Sequence, residues 1–105
     1  MSKPQLPLSK EELEAIVHER SLDSKNVDFT FHCLIRLEER EVTTIEAIRC
    51  LRRGHIVSDV EWSEEHQSWK FRIQEAPPRD IVCLVAAVSL DPASRVVTAI
   101  TVWEI

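Results

Sequence analysis

FTFHCLIRLEEREVTTIEAIRCLRRG, residues 29–54, holds the two clearest helical patterns of the chain and the only glycine. A helix starting near His32 carries His32, Arg36 and Arg40 at four-residue steps, so these three side chains form a ladder. At about 100° per residue, Cys33, Leu34 and Leu37 cluster on one side. The ladder lies immediately beside that side, and Glu38 and Glu39 point elsewhere. A border position of this kind holds a long polar side chain in place while leaving its tip accessible. Phe29 and Phe31 bracket Thr30 and are expected to pin the helix to the core. The next helix starts at the capping-box pattern Thr43-x-x-Glu46. Ile45, Ile48 and Leu51 are its expected buried stripe. Arg52 and Arg53 suit the negative end of the helix dipole, and Gly54 suits a left-handed cap with positive φ.

Upstream, residues 1–8 contain two prolines and read as a flexible tail. Residues 9–105 read as one domain, since 105 residues leave no room for two. Ser9 and Glu12 form a second capping-box pattern, which predicts a first helix from Lys10 to about Arg20 with Leu13, Ile16 and Val17 facing inward. Ser21 to Asp28 is a polar connection. Downstream of Gly54 the apolar period changes to two. Ile56, Val60 and Trp62 alternate with polar positions, and Ser63 to Gln67 is a turn. Trp69, Phe71 and Ile73 share one face, with Lys70, Arg72 and Gln74 on the other. Ala76 to Arg79 breaks the strand. Ile81 to Leu90 is almost continuously apolar and reads as a central strand covered on both faces. After the Asp91 to Ser94 turn, Arg95 to Glu104 is a last strand rich in β-branched residues. The expected fold is therefore α+β, with N-terminal helices packed on a four-stranded antiparallel sheet.

Composition narrows the function classes. Apolar residues at 44% and charged residues at 30% suit a soluble globular chain. The net charge of −5 disfavours a general nucleic-acid binder, and no DNA partner is expected. Cys33, Cys50 and Cys83 are odd in number and lack CxxC spacing, so they read as buried thiols of a reducing, cytoplasmic protein. The N-terminus lacks the apolar core of a signal peptide, and Ile81 to Val88 is too short to span a membrane. His18, His32, His55 and His66 show no metal-ligand spacing, so neither a metal nor another cofactor is expected.

One constellation carries chemistry: His32, Arg36 and Arg40 from the helix, with Lys70 and Arg72 from the sheet. Cleaving an RNA phosphodiester requires a base for the 2′-hydroxyl proton, an acid for the leaving oxygen, and cations for the charge that develops on phosphorus. Histidine suits either proton role near neutral pH, and the planar fork of arginine suits phosphate. The competing reading pairs Arg36 and Arg40 with Glu39, Glu41 or Glu46 and leaves His32 as a helix cap. Trp62, Trp69, Phe71 and Trp103 read as packing residues, not as a base-stacking platform.

The order Phe29, His32, Cys33, Arg36, Arg40; then Val42, Thr43, Glu46, Ala47, Leu51, Gly54, Ile56; then Lys70, Arg72; then Ile100, Thr101, Val102, Trp103 resembles a family of small bacterial domains of unknown function. That family is grouped with RelE-like and barnase-like ribonuclease toxins. The resemblance spans about Phe29 to Ile105. It implies a RelE-like fold and metal-independent RNA cleavage. It casts His32 as the proton-transfer residue, with Arg36 and Arg72 beside it in catalysis, and Arg40, Lys70 and Thr101 as substrate contacts. It further implies an RNA substrate and an antitoxin protein as partner. The acidic net charge departs from the basic surface expected of an RNA-directed toxin, and Met1 to Asp28 lie outside the pattern. The alternative is a non-catalytic protein-interaction module, a degenerate relative of that family.

Overall fold

The computed structural model describes residues 5–78 and 82–103. Helix α1 (Lys10–Ser21) opens with a complete capping box: the Ser9 hydroxyl accepts from the Glu12 N–H at 3.1 Å, and the Glu12 carboxylate accepts from the Ser9 N–H at 3.2 Å. Leu13 and Val17 are its fully buried apolar residues. A short 3₁₀ turn, Ser24–Asn26, leads into strand β1 (Val27–Phe29). Thr30 then caps helix α2 (Phe31–Glu39), accepting from the Cys33 N–H at 3.0 Å. The same hydroxyl donates to the Ile100 carbonyl at 2.8 Å and so ties the helix start to the sheet.

Helix α2 ends without glycine. Glu41 takes the left-handed position at φ 57°, and Val42 N–H reaches back to Leu37 O at 2.9 Å. This is the bonding of a Schellman cap. A left-handed non-glycine residue costs about 1 kcal/mol, and Val42, packed against the core, offsets it. Helix α3 (Thr44–Arg53) carries the second capping box, formed by Thr43 and Glu46.

Six strands form one mixed sheet in the order β1-β6-β5-β4-β2, with β3 also on β4. Strands β2 (His55–Ile56) and β3 (Glu61–Ser63) both run antiparallel to β4 (Ser68–Gln74), pairing Ile56 with Ile73 and Trp62 with Trp69. Strand β5 (Cys83–Val88) lies between β4 and β6 (Val97–Trp103). The expectation of four antiparallel strands needs amendment. The first expected strand is two short segments separated by residues 57–60, and β1 adds a parallel edge, Val27 opposite Val97. β1 is too short, and too embedded in a polar connection, to show a period of two.

Helices α1, α2 and α3 bury their residues against one face of this sheet. Leu13, Val17, Cys33, Leu37, Ala47 and Leu51 share a cluster with Phe71 and Ile73 of β4, Leu84, Ala86 and Val88 of β5, and Val97, Ala99 and Val102 of β6. Ala99 and Val102 are three apart, so both reach the same face only because the ladder slips. Val85 pairs with Thr101, and Ala86 with Ala99, leaving Ile100 as the extra residue of a bulge.

Several inward assignments change. Leu34, expected beside Cys33 and Leu37, is 44% exposed, and Phe31, expected to pin the helix, is 79% exposed. Ile45 is 78% exposed, while Ala47, Cys50 and Leu51 form the buried stripe of α3. Within the segment read as a tail, Leu6 and Leu8 are half-buried against the core. Gly54 is not left-handed: φ is −76° and ψ 171°. The first residues of the tail, Arg79 of the strand break, the strand start at Ile81 and its last end at Glu104 lie outside the described residues. Among the described residues, no helix is long and apolar enough to cross a membrane.

One buried cation joins distant parts of the chain. Arg20, 8% exposed, donates from Nη1 to the carbonyls of Ser89 at 2.7 Å and Val96 at 3.4 Å, linking the end of α1 to the β5–β6 turn. Arg20→Met keeps the packing volume and strands both carbonyls. The expected cost is about 2 kcal/mol, the scale of hydrogen bonds to a charged group, measured as a lower midpoint with unchanged slope in urea unfolding.

Candidate functional site

The residues singled out from sequence fall into two groups. Lys70 and Arg72 alternate with the inward Phe71 and Ile73, so they stand on the sheet face that no described helix covers. The register extends this set: Lys70 lies opposite Ala87 and then Thr98, and Arg72 opposite Val85 and then Thr101. Arg72 and Thr101 are thus two strand spacings apart, about 10 Å. Lys70, Thr98 and Thr101 are half-buried and Arg72 is exposed. Cys83 and Ala87, on the same face, are buried, being short enough to sit below their longer cross-strand neighbours.

His32, Arg36 and Arg40 form the second group, on α2, which packs chiefly on β6. The helix leaves the sheet at its β1 edge, where Thr30 N–H donates to Ala99 O of the neighbouring β6 at 3.1 Å. His32 is therefore in the first turn after that edge strand. His32 is exposed and has no hydrogen-bond or ion-pair partner among the described residues. Arg36 is half-buried, and its Nη1 lies 3.1 Å from Glu39 Oε2. This is one of the pairings that the competing reading names. Arg40 is half-buried and engaged in an interaction of its own. Among the described residues, His32 and Arg36 are not in hydrogen-bond contact with Lys70 or Arg72.

At the other edge of the uncovered face, Lys70 and Arg72 line a shallow cleft of about 260 Å³ with Ser58, Asp59 and Glu61. The segment between β2 and β3 builds it. Val57 N–H donates to Arg72 O at 3.0 Å, and Ser58 Oγ accepts from Arg72 N–H at 2.8 Å. Glu61 is directly opposite Lys70. Two carboxylates and two cations thus line the cleft, and Asp59 makes an ion pair with Lys10 of α1 at 3.7 Å. Sequence reading missed Ser58, Asp59 and Glu61. The alternation through Val60 and Trp62 does place Glu61 on the outer face, but only the register shows which cation it meets.

The other candidate chemistries are answered by burial. Burial raises the Cys33 thiol to about 11 and the Cys50 thiol to about 12, and it raises Cys83 as well. Cys50 Sγ lies 3.4 Å from Ile73 O and 3.6 Å from Val82 O. A nucleophilic cysteine requires a lowered value and an accessible sulfur, so these thiols are structural. Folding holds them protonated, and this stabilisation is complete below the unfolded-chain value near about 8.5. It is lost as pH rises from there through the folded values, because the unfolded chain releases its protons first. The expected result is an unfolding free energy that falls as pH rises above about 9. Native protein at about pH 8 should resist alkylation at all three thiols, while denatured protein is labelled threefold. Mass spectrometry of iodoacetamide-treated samples reads both states.

Two of the remaining histidines connect elements. His18 Nε2 lies 2.6 Å from Gly54 O, and His55 Nδ1 lies 3.2 Å from Glu14 Oε2. Among the described residues, no group of three or more His, Cys, Asp or Glu side chains is arranged to hold a metal ion.

Residues 29–101 match the model of a family described as a domain of unknown function, DUF4258. No curated protein and no solved structure matches the chain. The matched segment contains His32, Arg36, Arg40, Lys70, Arg72 and Thr101 and excludes α1. Over that segment, which is most of its length, the chain belongs to the DUF4258 family.

Proposed function

We propose that this protein is a RelE-like, metal-independent endoribonuclease, the cytoplasmic toxin of a toxin–antitoxin pair, which holds RNA on the uncovered face of its sheet. One observation carries the reading. The described helices cover one face only, and the other presents Lys70, Arg72, Thr98 and Thr101, with His32 exposed in the first turn of α2, just past the β1 edge. Arg72 and Lys70 bind phosphate with the Thr101 hydroxyl on the same face, and Arg36 and Arg40 of α2 meet the RNA strand where it passes the β1 edge of the sheet. In the cleavage step His32 takes the 2′-hydroxyl proton as the 2′-oxygen–phosphorus bond forms. The phosphorus–5′-oxygen bond breaks, the 5′-oxygen takes a proton from water, the hydroxide so formed takes the proton back from His32, and a 2′,3′-cyclic phosphate remains. A net charge of −5 makes non-specific RNA binding weak, so selection rests on this face and not on the whole surface. An antitoxin that covers the face silences it.

A second reading is favoured by the Arg36–Glu39 ion pair and by Glu61 opposite Lys70 in the cleft. In that reading the protein is a non-catalytic interaction module whose cations are internally neutralised. Incubation of purified protein with cellular RNA in EDTA separates the two. New fragments with cyclic-phosphate ends support the endoribonuclease. Intact RNA, together with growth unaffected by overexpression, supports the module.

A further inference from the structure

We infer that the solvent side of α3 is a docking surface for an acidic segment of another protein, which lays an apolar side chain over Ile45 and sets carboxylates on Arg49 and Arg53. Ile45, Arg49, Arg52 and Arg53 follow at helical steps and share one side of the helix. They line a second shallow cavity of about 260 Å³. Ile45 is 78% exposed, although a turn away Ala47, Cys50 and Leu51 fill the core. A large aliphatic side chain so placed contributes little to folding and much to an interface once covered.

The arginines around it are unequally committed. Arg52 donates from Nε to Ser21 O at 2.6 Å and from Nη2 to Leu22 O at 3.0 Å, which holds its guanidinium in place against the end of α1. Arg49 has Nε 3.4 Å from Glu75 Oε1. Arg53 is exposed and has no partner among the described residues. Glu46, on the same helix, is spent on the Thr43 capping box. Among the described residues three cations thus face one carboxylate, on a chain whose net charge is −5. The helix dipole accounts for Arg52 and Arg53 in the last turn. It accounts for neither Arg49 a turn earlier nor the exposed Ile45.

The charge calls for an anionic ligand, and the lining decides which kind. Single-stranded nucleic acid is held by aromatic side chains that stack its bases, and among the described residues no aromatic one lines this cavity. An aliphatic centre ringed by arginine is the composition of a protein–protein interface. Because α3 packs against the covered face of β4 and β5, its solvent side is separate from the uncovered face. This surface therefore stands or falls independently of the ribonuclease reading.

The test uses the whole chain with its isoleucine methyls ¹³C-labelled. Three probes are titrated in turn: an amphipathic peptide with Glu and Leu at helical spacing, the same peptide with Lys for Glu, and oligouridine. The expected result is a saturable shift of the Ile45 methyl with the acidic peptide alone, strongly reduced by salt. Arg53→Glu, at an exposed unpartnered site, should melt slightly below wild type, through the lost helix-dipole contribution, and bind about tenfold more weakly. Lys25→Glu, on the 3₁₀ turn, should leave the affinity unchanged. Equal shifts with both peptides mean non-specific apolar contact and overturn the inference. Silence of the Ile45 methyl overturns it too. A shift with oligouridine that is lost in Arg53→Glu also overturns it, by making the surface a nucleic-acid site.

Discussion

Replacing Gly54 by alanine is expected to destabilise the fold by about 3 kcal/mol, lowering the melting temperature by roughly 12 °C. The cause is space, not backbone conformation. Gly54 has φ −76°, which alanine adopts without strain. A Cβ there would lie 2.5 Å from Cys50 O, 2.9 Å from Ile73 Cγ1 and 3.1 Å from Gln74 C. Two of these neighbours are backbone atoms. One belongs to the carbonyl that accepts the Gly54 N–H at 2.7 Å, and the other to β4, where β2 begins. Neither can move without disturbing the last turn of α3 or its packing on the sheet. The Gly54 carbonyl also meets His18 Nε2 of α1 at 2.6 Å, so the junction of α1, α3 and β4 shifts as a unit. Comparison with Gly54→Asn isolates the cause. A left-handed cap tolerates asparagine better than alanine, whereas a close approach penalises asparagine at least as much. Urea unfolding of the two variants reads the difference directly.

His32→Ala is expected to abolish RNA cleavage, by about 10² to 10⁴-fold, and to leave stability within about 0.5 kcal/mol of wild type. Both halves follow from the same geometry. His32 is exposed and has no hydrogen-bond partner among the described residues, and Thr30, not His32, caps α2. Its removal leaves no buried group unsatisfied. Arg36→Ala behaves differently under the two functional readings. If Arg36 serves only its ion pair with Glu39, the exposed pair is worth less than about 1 kcal/mol and the variant keeps whatever activity exists. If Arg36 serves phosphate, cleavage falls while the melting temperature holds. Measuring single-turnover rates and thermal unfolding on the same preparations separates chemistry from folding.

Much of the fold was legible because its signals are local. Ser9 with Glu12 and Thr43 with Glu46 mark two helix starts through bonds spanning three residues. The alternation of Trp69, Phe71 and Ile73 marks β4, and the near-continuous apolar run marks β5 between two neighbours. What escaped depends on partners distant in sequence. Strand β1 exists because β6 offers it an edge. Leu34 and Ile45 are apolar, and periodicity alone places apolar residues inward. The sheet, however, meets α2 at Cys33 and Leu37 and α3 at Ala47, Cys50 and Leu51, so the outer sides keep apolar residues that folding does not use. Gly54 was expected to serve a positive φ, but among the described residues positive φ falls at Glu41 and Gln67, where no glycine signals it. Of the candidate site, the outward alternation of Lys70 and Arg72 was legible in the chain. Their companions Thr98, Asp59 and Glu61 were not, since only the register and the β2–β3 segment bring them near.

In the endoribonuclease reading RNA occupies the uncovered sheet face. Amide chemical-shift mapping of ¹⁵N-labelled protein with a 2′-O-methyl oligonucleotide, which cannot be cleaved, tests it most directly. The predicted result is a saturable set of shifts at Lys70 to Gln74, at Thr98 to Thr101 and in the first turn of α2, suppressed by Arg72→Ala. Shifts confined to α3, or none at saturating oligonucleotide, would contradict the claim.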